Sequence, residues 1–267
     1  MSIRILTDSA SDFTAAEKQE LHIEVLPLTT VFPDGEYRDG VDLTPEQFFE
    51  RLIEEEEIPT TSQVSPAAFQ ASFADALEAG DDVVYIALSS KLSGTFQSAC
   101  IARSMFTPEQ QERLHLVDSL HVCIAEQLLV RTAVTLRDEG CSAADIAQSV
   151  ERLKSRVKLV ALLDTLEYLK KGGRISATAA VAGTLLSIKP VITVREGLVD
   201  VIGKARGSKN GHNMIVKFVE ESGGIDERFP FALAYSGLSD RMLMKYWEDN
   251  KHILSTVPEK PMVTTIG

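Results

Sequence analysis

Val83-Val84-Tyr85-Ile86-Ala87-Leu88 runs directly into Ser89-Ser90-Lys91-Leu92-Ser93-Gly94-Thr95-Phe96-Gln97-Ser98-Ala99. The first six residues are apolar and rich in β-branched side chains, which reads as a buried strand. The next seven carry hydroxyls and pivot on a glycine before helix-forming sequence resumes. A strand, a hydroxyl-rich turn and a helix N-terminus together form a natural anion site, because the first amides of a helix have no internal acceptor. Ser93, Gly94 and Thr95 stand where those donors converge. The turn fits neither the Walker pattern nor the dinucleotide glycine pattern. A lone carboxylate or phosphate therefore suits it better than a nucleoside triphosphate.

Upstream of this stretch, Ile3 to Thr7 reads as a short strand ending in Asp8-Ser9, and Ala15 to Leu21 as a helix. Ile23 to Phe32 reads as one strand, pairing across Pro33-Asp34-Gly35 with Tyr37 to Val41 in a small hairpin spanning about residues 23–42. Thr44-Pro45-Glu46 and Ser65-Pro66 open helices. Pro59-Thr60-Thr61-Ser62-Gln63 reads as an extended, hydroxyl-rich loop. Downstream, Leu114 to Val117 is a strand ending at Asp118-Ser119, and helices are expected over His121–Leu136 and Ala143–Arg156. Strands alternating with helices imply a parallel sheet.

From Leu159 onward the pattern changes. A strand at Leu159–Leu163 and a short helix at Thr165–Leu169 precede Lys170-Lys171-Gly172-Gly173-Arg174-Ile175-Ser176, where Ser176 could cap a small-residue helix over Ala177–Leu186. Lys189–Val194 and Leu198–Ile202 form a hairpin around Glu196-Gly197. A helix over Gly211–Glu221, strands at Phe231–Tyr235 and Pro261–Ile266 and a helix at Ser239–Asn250 complete it. The boundary between the two halves falls near Arg156–Leu159. The expectation is an α/β protein with domains at 1–157 and 158–267, the first built on a parallel sheet and the second on a mixed one.

The chain has 267 residues with 44% hydrophobic content, normal for a globular protein. No apolar run approaches the roughly 18 residues of a membrane span, and Met1-Ser2-Ile3 enters a strand without a signal-peptide pattern. Cys100, Cys123 and Cys141 are scattered, odd in number and without metal-ligand spacing. A cytoplasmic protein is the expectation. The net charge of −12 argues against nucleic acid as a partner. The charge is uneven: residues 151–217 hold 13 Lys and Arg against 5 Asp and Glu. A basic face that meets an acidic or phosphorylated partner is one reading, and a solvated surface the other.

The two hydroxyl clusters, Thr60-Thr61-Ser62 and Ser89 to Thr95, both fall at the rim of the expected sheet, where open α/β sheets bind ligands. Neutral hydroxyls and amides suit a single carboxylate. Asp8-Ser9 is read as an accessory to the site, and Asp118-Ser119 as turn chemistry. None of the five histidines stands in a nucleophile elbow or a zinc pair, and no catalytic residue, metal ligand or cofactor is assigned. Arg174 on its glycine turn, Lys171 beside it and Arg206 in Gly203-Lys204-Ala205-Arg206 could face a phosphate or a carboxylate.

These segments together resemble the DegV family of fatty-acid-binding proteins, the acyl-carrying subunits of bacterial fatty acid kinase. The match runs through Thr7-Asp8-Ser9, Pro59-Thr60-Thr61-Ser62-Gln63 with Ser65-Pro66, Leu92-Ser93-Gly94-Thr95, Val117-Asp118-Ser119, Gly172-Gly173-Arg174-Ile175-Ser176 and Ile188-Lys189-Pro190. The resemblance implies a Rossmann-like first domain, a second α/β domain, and an acyl chain buried between them. It implies that Thr61 and Ser93 hold the carboxylate, helped by Ser62 and the Gly94 amide, and that Arg174, Arg206 and Lys171 serve kinase docking or phosphate handling. The partners implied are a long-chain fatty acid and an ATP-dependent kinase subunit, with transient membrane contact and no ATP site in this chain.

The sequence departs from the family's pattern in two places. After Asp118-Ser119 the family's Ser-Met-Gly-x-Gly-like run is replaced by His121-Val122-Cys123-Ile124-Ala125-Glu126-Gln127, with larger side chains. The family's typical His-x-Gly-Pro-Gly segment is not among these 267 residues, so one head-group contact is left unassigned. Two competing functions are a kinase-like enzyme acting on a small metabolite, which requires a nucleotide site, and an interaction module using the basic face.

Overall fold

The computed structural model describes residues 2–55, 57–175, 188–226, 228–229, 231–250 and 262–266. It divides into two units, Met1–Val157 with Ile266–Gly267, and Lys158–Thr265.

The first unit is organised by four parallel strands, β1 (Ile3–Asp8), β2 (Ile23–Leu26), β6 (Asp82–Ala87) and β7 (Leu114–Asp118), in the order β2-β1-β6-β7. Val83 to Ala87 are wholly buried because both faces of β6 are covered. Val83, Tyr85 and Ala87 pack with Phe69, Phe73 and Ala76 of α3 (Pro66–Glu78) and with Ala99 and Ala102 of α4 (Thr95–Arg103). Val84 and Ile86 face the other way, toward Leu129, Val130 and Ala133 of α6 (Cys123–Asp138) and Ile146 and Val150 of α7 (Ala143–Leu153). The two-residue alternation of a strand thus feeds two separate cores. Each large side chain so buried contributes about 1.5–3 kcal/mol.

The remaining helices of this unit are α1 (Ala15–Glu20), α2 (Pro45–Glu54) and α5 (Pro108–Gln111). Thr14, Thr44 and Thr107 cap them through complete capping boxes.

The expected single strand over Ile23–Phe32 is two strands in two sheets. Pro27 stands at the break, where it supplies no ladder N–H. Before it β2 joins the parallel sheet. After it β3 (Thr29–Phe32) pairs antiparallel with β4 (Gly35–Arg38) and with β5 (Thr60–Ser62). The hairpin proper is therefore Thr29–Arg38, and the hydroxyl segment read as a loop is its third strand. The helix expected from His121 begins at Cys123, because Leu120 takes a positive φ of 55° and Val122 is extended at the N-cap.

In the second unit β8 (Val160–Leu162), β9 (Ile188–Arg195) and β10 (Leu198–Arg206) form an antiparallel sheet in the order β10-β9-β8. Glu196 and Gly197 turn the hairpin with φ of 51° and 81°, the pair of left-handed residues that suits a two-residue loop. The short helix α8 (Glu167–Lys171) precedes the glycine turn. Its neighbours Leu166 and Ile175 pack on Ile192. Helix α9 (Gly207–Glu221) follows β10 directly, starting four residues before the expected Gly211. Parallel strands β11 (Ala232–Tyr235) and β12 (Met262–Thr265) with α10 (Arg241–Asn250) surround a core of Leu233, Tyr246 and Trp247. The helix expected over 177–186 and its cap Ser176 lie outside the described residues.

Candidate functional site

From the central β1 the chain passes to β2 on one side, and later from β6 to β7 on the other. The point where strand order changes direction, between β1 and β6, is where open α/β sheets leave a crevice at their carboxyl ends. Here β1 ends at Asp8 and β6 runs out through Leu88. The Asp8 carboxylate joins them, with Oδ2 accepting from the Leu88 amide at 3.0 Å and from the Tyr85 hydroxyl at 2.8 Å. Its Oδ1 accepts from the Ala10 amide at 3.3 Å. Ser9 Oγ accepts from the Leu28 amide at 3.0 Å. Asp8 and Ser9 are thus fastened to the backbone at the carboxyl end of β1 and β6 and at Leu28. Asp118 Oδ1 accepts from the Ser90 and Leu120 amides at 3.1 and 3.2 Å, the turn chemistry expected of it.

The turn after Leu88 is wound by its own hydroxyls. Leu92 and Ser93 donate their amides to Ser89 O at 2.9 and 3.2 Å. Ser93 Oγ shares a 2.9 Å hydrogen bond with Thr95 Oγ1 and accepts from the Thr95 amide at 3.3 Å. Gly94 occupies the N-cap of α4 without a side-chain cap. The Thr95 amide is taken up by Ser93 Oγ, and Gly94 itself supplies no side chain to the amides that follow.

Strand β5 brings Thr61 and Ser62 to the same rim, paired with Thr30 and Thr29 and exposed. The joint between β5 and the turn is Gln63. Its Nε2 donates to Ser98 Oγ at 2.8 Å, and its amide lies so close to Gly94 that a Cβ there would stand 1.9 Å from Gln63 Oε1. Through the Gln63 side chain, the segment that carries Thr61 and Ser62 thus meets the Ser93-Gly94 turn. Reasoning on hydroxyls alone passed over Gln63, although it closes the same hydroxyl run.

Beneath the rim lies an acidic cluster. Glu126, in the first turn of α6, is wholly buried, and its Oε1 accepts from Thr7 Oγ1 at 2.9 Å. Burial and the nearby charge of Asp8 hold its carboxyl well above the usual carboxylate range. Asp8 is itself pushed up to about 6 by burial, against the donors that favour its ionised form. The α6 N-terminus favours a negative charge by only about 0.3–1 kcal/mol. An unpaired buried charge costs several kcal/mol, which disfavours ionising Glu126, whereas Asp8 has three donors that favour its ionised form. Glu126 repeats at i+4 and i+7 with buried Val130 and Ala133, a core stripe visible in the sequence that marks it as an inward-facing acid.

Lys171, Arg174 and Arg206 belong to the second unit. Lys171 pairs with Glu167 at 3.1 Å, Arg174 Nη1 donates to Gly172 O at 2.6 Å, and Arg206 is the exposed N-cap of α9. Among the described residues no group of three or more His, Cys, Asp or Glu side chains could hold a metal ion, and no helix is long and apolar enough to cross a membrane.

Fold and site together define an α/β protein with a hydroxyl-rich turn at the switch point of a parallel sheet. The model of the DegV family of uncharacterised proteins matches residues 2–266, and the chain belongs to that family. A DegV domain-containing protein of Caldanaerobacter subterraneus subsp. tengcongensis is 38% identical over 221 residues, 83% of this chain and 78% of that protein. A fatty-acid-binding DegV family protein from Thermus thermophilus superposes with a TM-score of 0.84 at 33% identity, covering 100% of this chain and 93% of the other. DegV of Bacillus subtilis, a fatty acid binding protein, gives a TM-score of 0.84 at 27% identity with the same coverage.

Proposed function

We propose that this protein binds a long-chain fatty acid, grips its carboxylate between Thr61, Ser62, Ser93 and the Gly94 amide, and presents it to an ATP-dependent kinase that forms the acyl phosphate. The observation that carries the reading is the junction at Gln63, which joins the end of a hydroxyl-bearing strand to the Ser93-Gly94 turn at the start of α4. Uncharged donors of this kind bind one carboxylate without a buried counter-charge. The acyl tail supplies most of the affinity, at about 0.8 kcal/mol per buried methylene before the cost of ordering it. Similarity to the Thermus and Bacillus proteins supports the ligand class. The kinase role follows from the family resemblance. Lys171, Arg174 and Arg206 are the residues assigned to docking, within a segment that is basic in an otherwise acidic chain.

Native mass spectrometry of the protein expressed in bacteria, followed by lipid extraction, tests the ligand. One fatty acid per chain is the expected result. Protein that stays empty after incubation with excess palmitate and oleate refutes the reading.

A further inference from the structure

The loop from β7 to α6 is bonded to the turn that follows β6. Ser89 donates its amide to His121 O at 2.7 Å, and Ser90 donates its amide to Asp118 Oδ1 at 3.1 Å. The first half of the Ser89–Thr95 turn is thus carried by Asp118 and His121, while the second half, Ser93-Gly94, is the part assigned to the ligand. The loop is itself closed by Lys154, the C-cap of α7. The Lys154 carbonyl meets His121 Nε2 at 2.8 Å, and the Lys154 ammonium donates to Asp118 O at 2.9 Å. We propose that His121 is a positioning residue for the carboxylate grip: by fastening the loop to Lys154 it fixes the Ser89 and Ser90 amides, and with them the turn that carries Ser93 and Gly94.

A carbonyl offers no hydrogen, so His121 Nε2 carries the proton and donates it to Lys154 O. His121 is 5% exposed and Ser89 and Ser119 are wholly buried, so little water competes with these bonds. Leu120 holds φ at 55°, in the left-handed region that leucine seldom adopts. Such a backbone persists only where the contacts around it over-determine it. Here Asp118 Oδ1 accepts from the Leu120 amide at 3.2 Å, Ser119 Oγ accepts from the His121 amide at 3.0 Å, and Lys154 holds both ends of the loop. Removing the ring nitrogen releases one end. The loop then relaxes at Leu120, and the Ser89 amide loses its acceptor.

Asp118 reaches Lys154 only through its carbonyl, which any residue offers, whereas His121 reaches it through its side chain. Lys154 is also paired with Glu151 at 2.6 Å, so the anchor stays in place when His121 is changed. His121 opens the run in which this chain departs from its family's pattern, a departure that the carboxylate grip by itself does not use. A turn held in place before the ligand arrives loses less freedom on binding, so the clamp slows release of the bound acid.

The proposal rests on the fatty-acid reading for its ligand readout alone. His121→Leu removes the donor, His121→Gln returns one near the Nε2 position, and Lys154→Met removes the ammonium while leaving the carbonyl. Native-state hydrogen exchange is read at Ser89 and Ser90, with Val84 and Ile86 of β6 as references. His121→Leu is expected to speed exchange at Ser89 and Ser90 at least about tenfold relative to those references. It is expected to speed release of bound oleate about fivefold, and His121→Gln to restore both. Lys154→Met is expected to loosen the same amides to a lesser degree, and it carries the test should His121→Leu not fold. Wild-type exchange at Ser89 and Ser90 in both His121→Leu and Lys154→Met overturns the clamp. Equal quickening at Val84 and Ile86 marks a general loss of stability and overturns the positioning role, as does His121→Gln behaving like His121→Leu. Loosened amides with unchanged oleate release overturn the link to the ligand. Protein that takes up no fatty acid, with Ser89 and Ser90 loosened as expected, supports the clamp and refutes the lipid reading instead.

Discussion

The side-chain amide of Gln63 rests on the α-carbon of Gly94, and the Gln63 hydrogen bond to Ser98 keeps it there. Gly94 has φ −77° and ψ 2°, which alanine adopts without strain, so the glycine answers a need for space and not for backbone freedom. Gly94→Ala is therefore expected to displace the Gln63 amide and break its bond to Ser98. Because Gln63 is exposed and its amide is the far end of a flexible side chain, the cost is about 1 kcal/mol. Adding Gln63→Ala should remove the collision, so that the double variant is more stable than the two single effects predict. Thermal melts of the four proteins measure this. Strictly additive effects would show that the two residues do not press on one another.

The head-group donors separate by their local roles. Ser93 Oγ also winds the turn through the Thr95 amide, so Ser93→Ala costs about 0.5–2 kcal/mol of stability as well as ligand affinity. Thr61 is exposed on β5, and its substitution should leave stability within about 0.5 kcal/mol. Thr61→Val keeps the shape and the strand preference while deleting the hydroxyl. It should raise the dissociation rate of bound fatty acid about fivefold, the effect of losing one hydrogen bond of roughly 1 kcal/mol. A competitive displacement assay with a fluorescent fatty acid reads the change. No change in Thr61→Val would remove this residue from the grip.

Some of this was legible in residues alone, for identifiable reasons. The run Val83–Leu88 declares a buried strand because both of its faces are apolar, and the structure covers both. Pro-led starts at Pro45 and Pro66 place helix boundaries within a residue, since proline fixes φ and lacks the donor that a first turn does not use. Ile23–Phe32 misled because its apolar pattern runs through Pro27, and only pairing partners distant in sequence assign its two halves to different sheets. Gln63 was hidden because its role depends on Gly94 and Ser98, about 30 residues away. Glu126 was visible as an acid on a core stripe, but a helix-periodic acid is ordinary until its burial is known.

Arg174 tests the division of labour between grip and docking. It follows Gly173 at a positive-φ turn and donates to Gly172 O at 2.6 Å, in a different unit from the carboxylate grip. Arg174→Ala is expected to leave fatty acid content and affinity unchanged while lowering acyl phosphate formation with the kinase about tenfold or more. That loss corresponds to about 1.4 kcal/mol, modest for a charged contact. Lipid extraction and a hydroxylamine trapping assay for acyl phosphate give the two readouts. Loss of the lipid itself in Arg174→Ala would place the arginine in the grip.

Tyr85 offers a test of the Asp8 charge through stability alone. The folded-state value of Asp8, about 6, lies above its ordinary 3.8. The unfolded chain therefore releases this proton first, and the group's contribution to stability is lost as pH rises from about 4 through 6. The Tyr85 hydroxyl opposes that loss by donating to the carboxylate. Tyr85→Phe removes the donor, raises Asp8 further and extends the loss to higher pH. The variant should thus cost about 1–3 kcal/mol at pH 7.5, where the wild-type Asp8 is ionised, and less at pH 4.5, where it is protonated. Urea midpoints of both proteins at both pH values give the difference, in which every carboxylate common to the two cancels. An equal cost at both pH values would mean that the Tyr85 hydroxyl meets an acid in one protonation state throughout, and Asp8 would not then titrate between them.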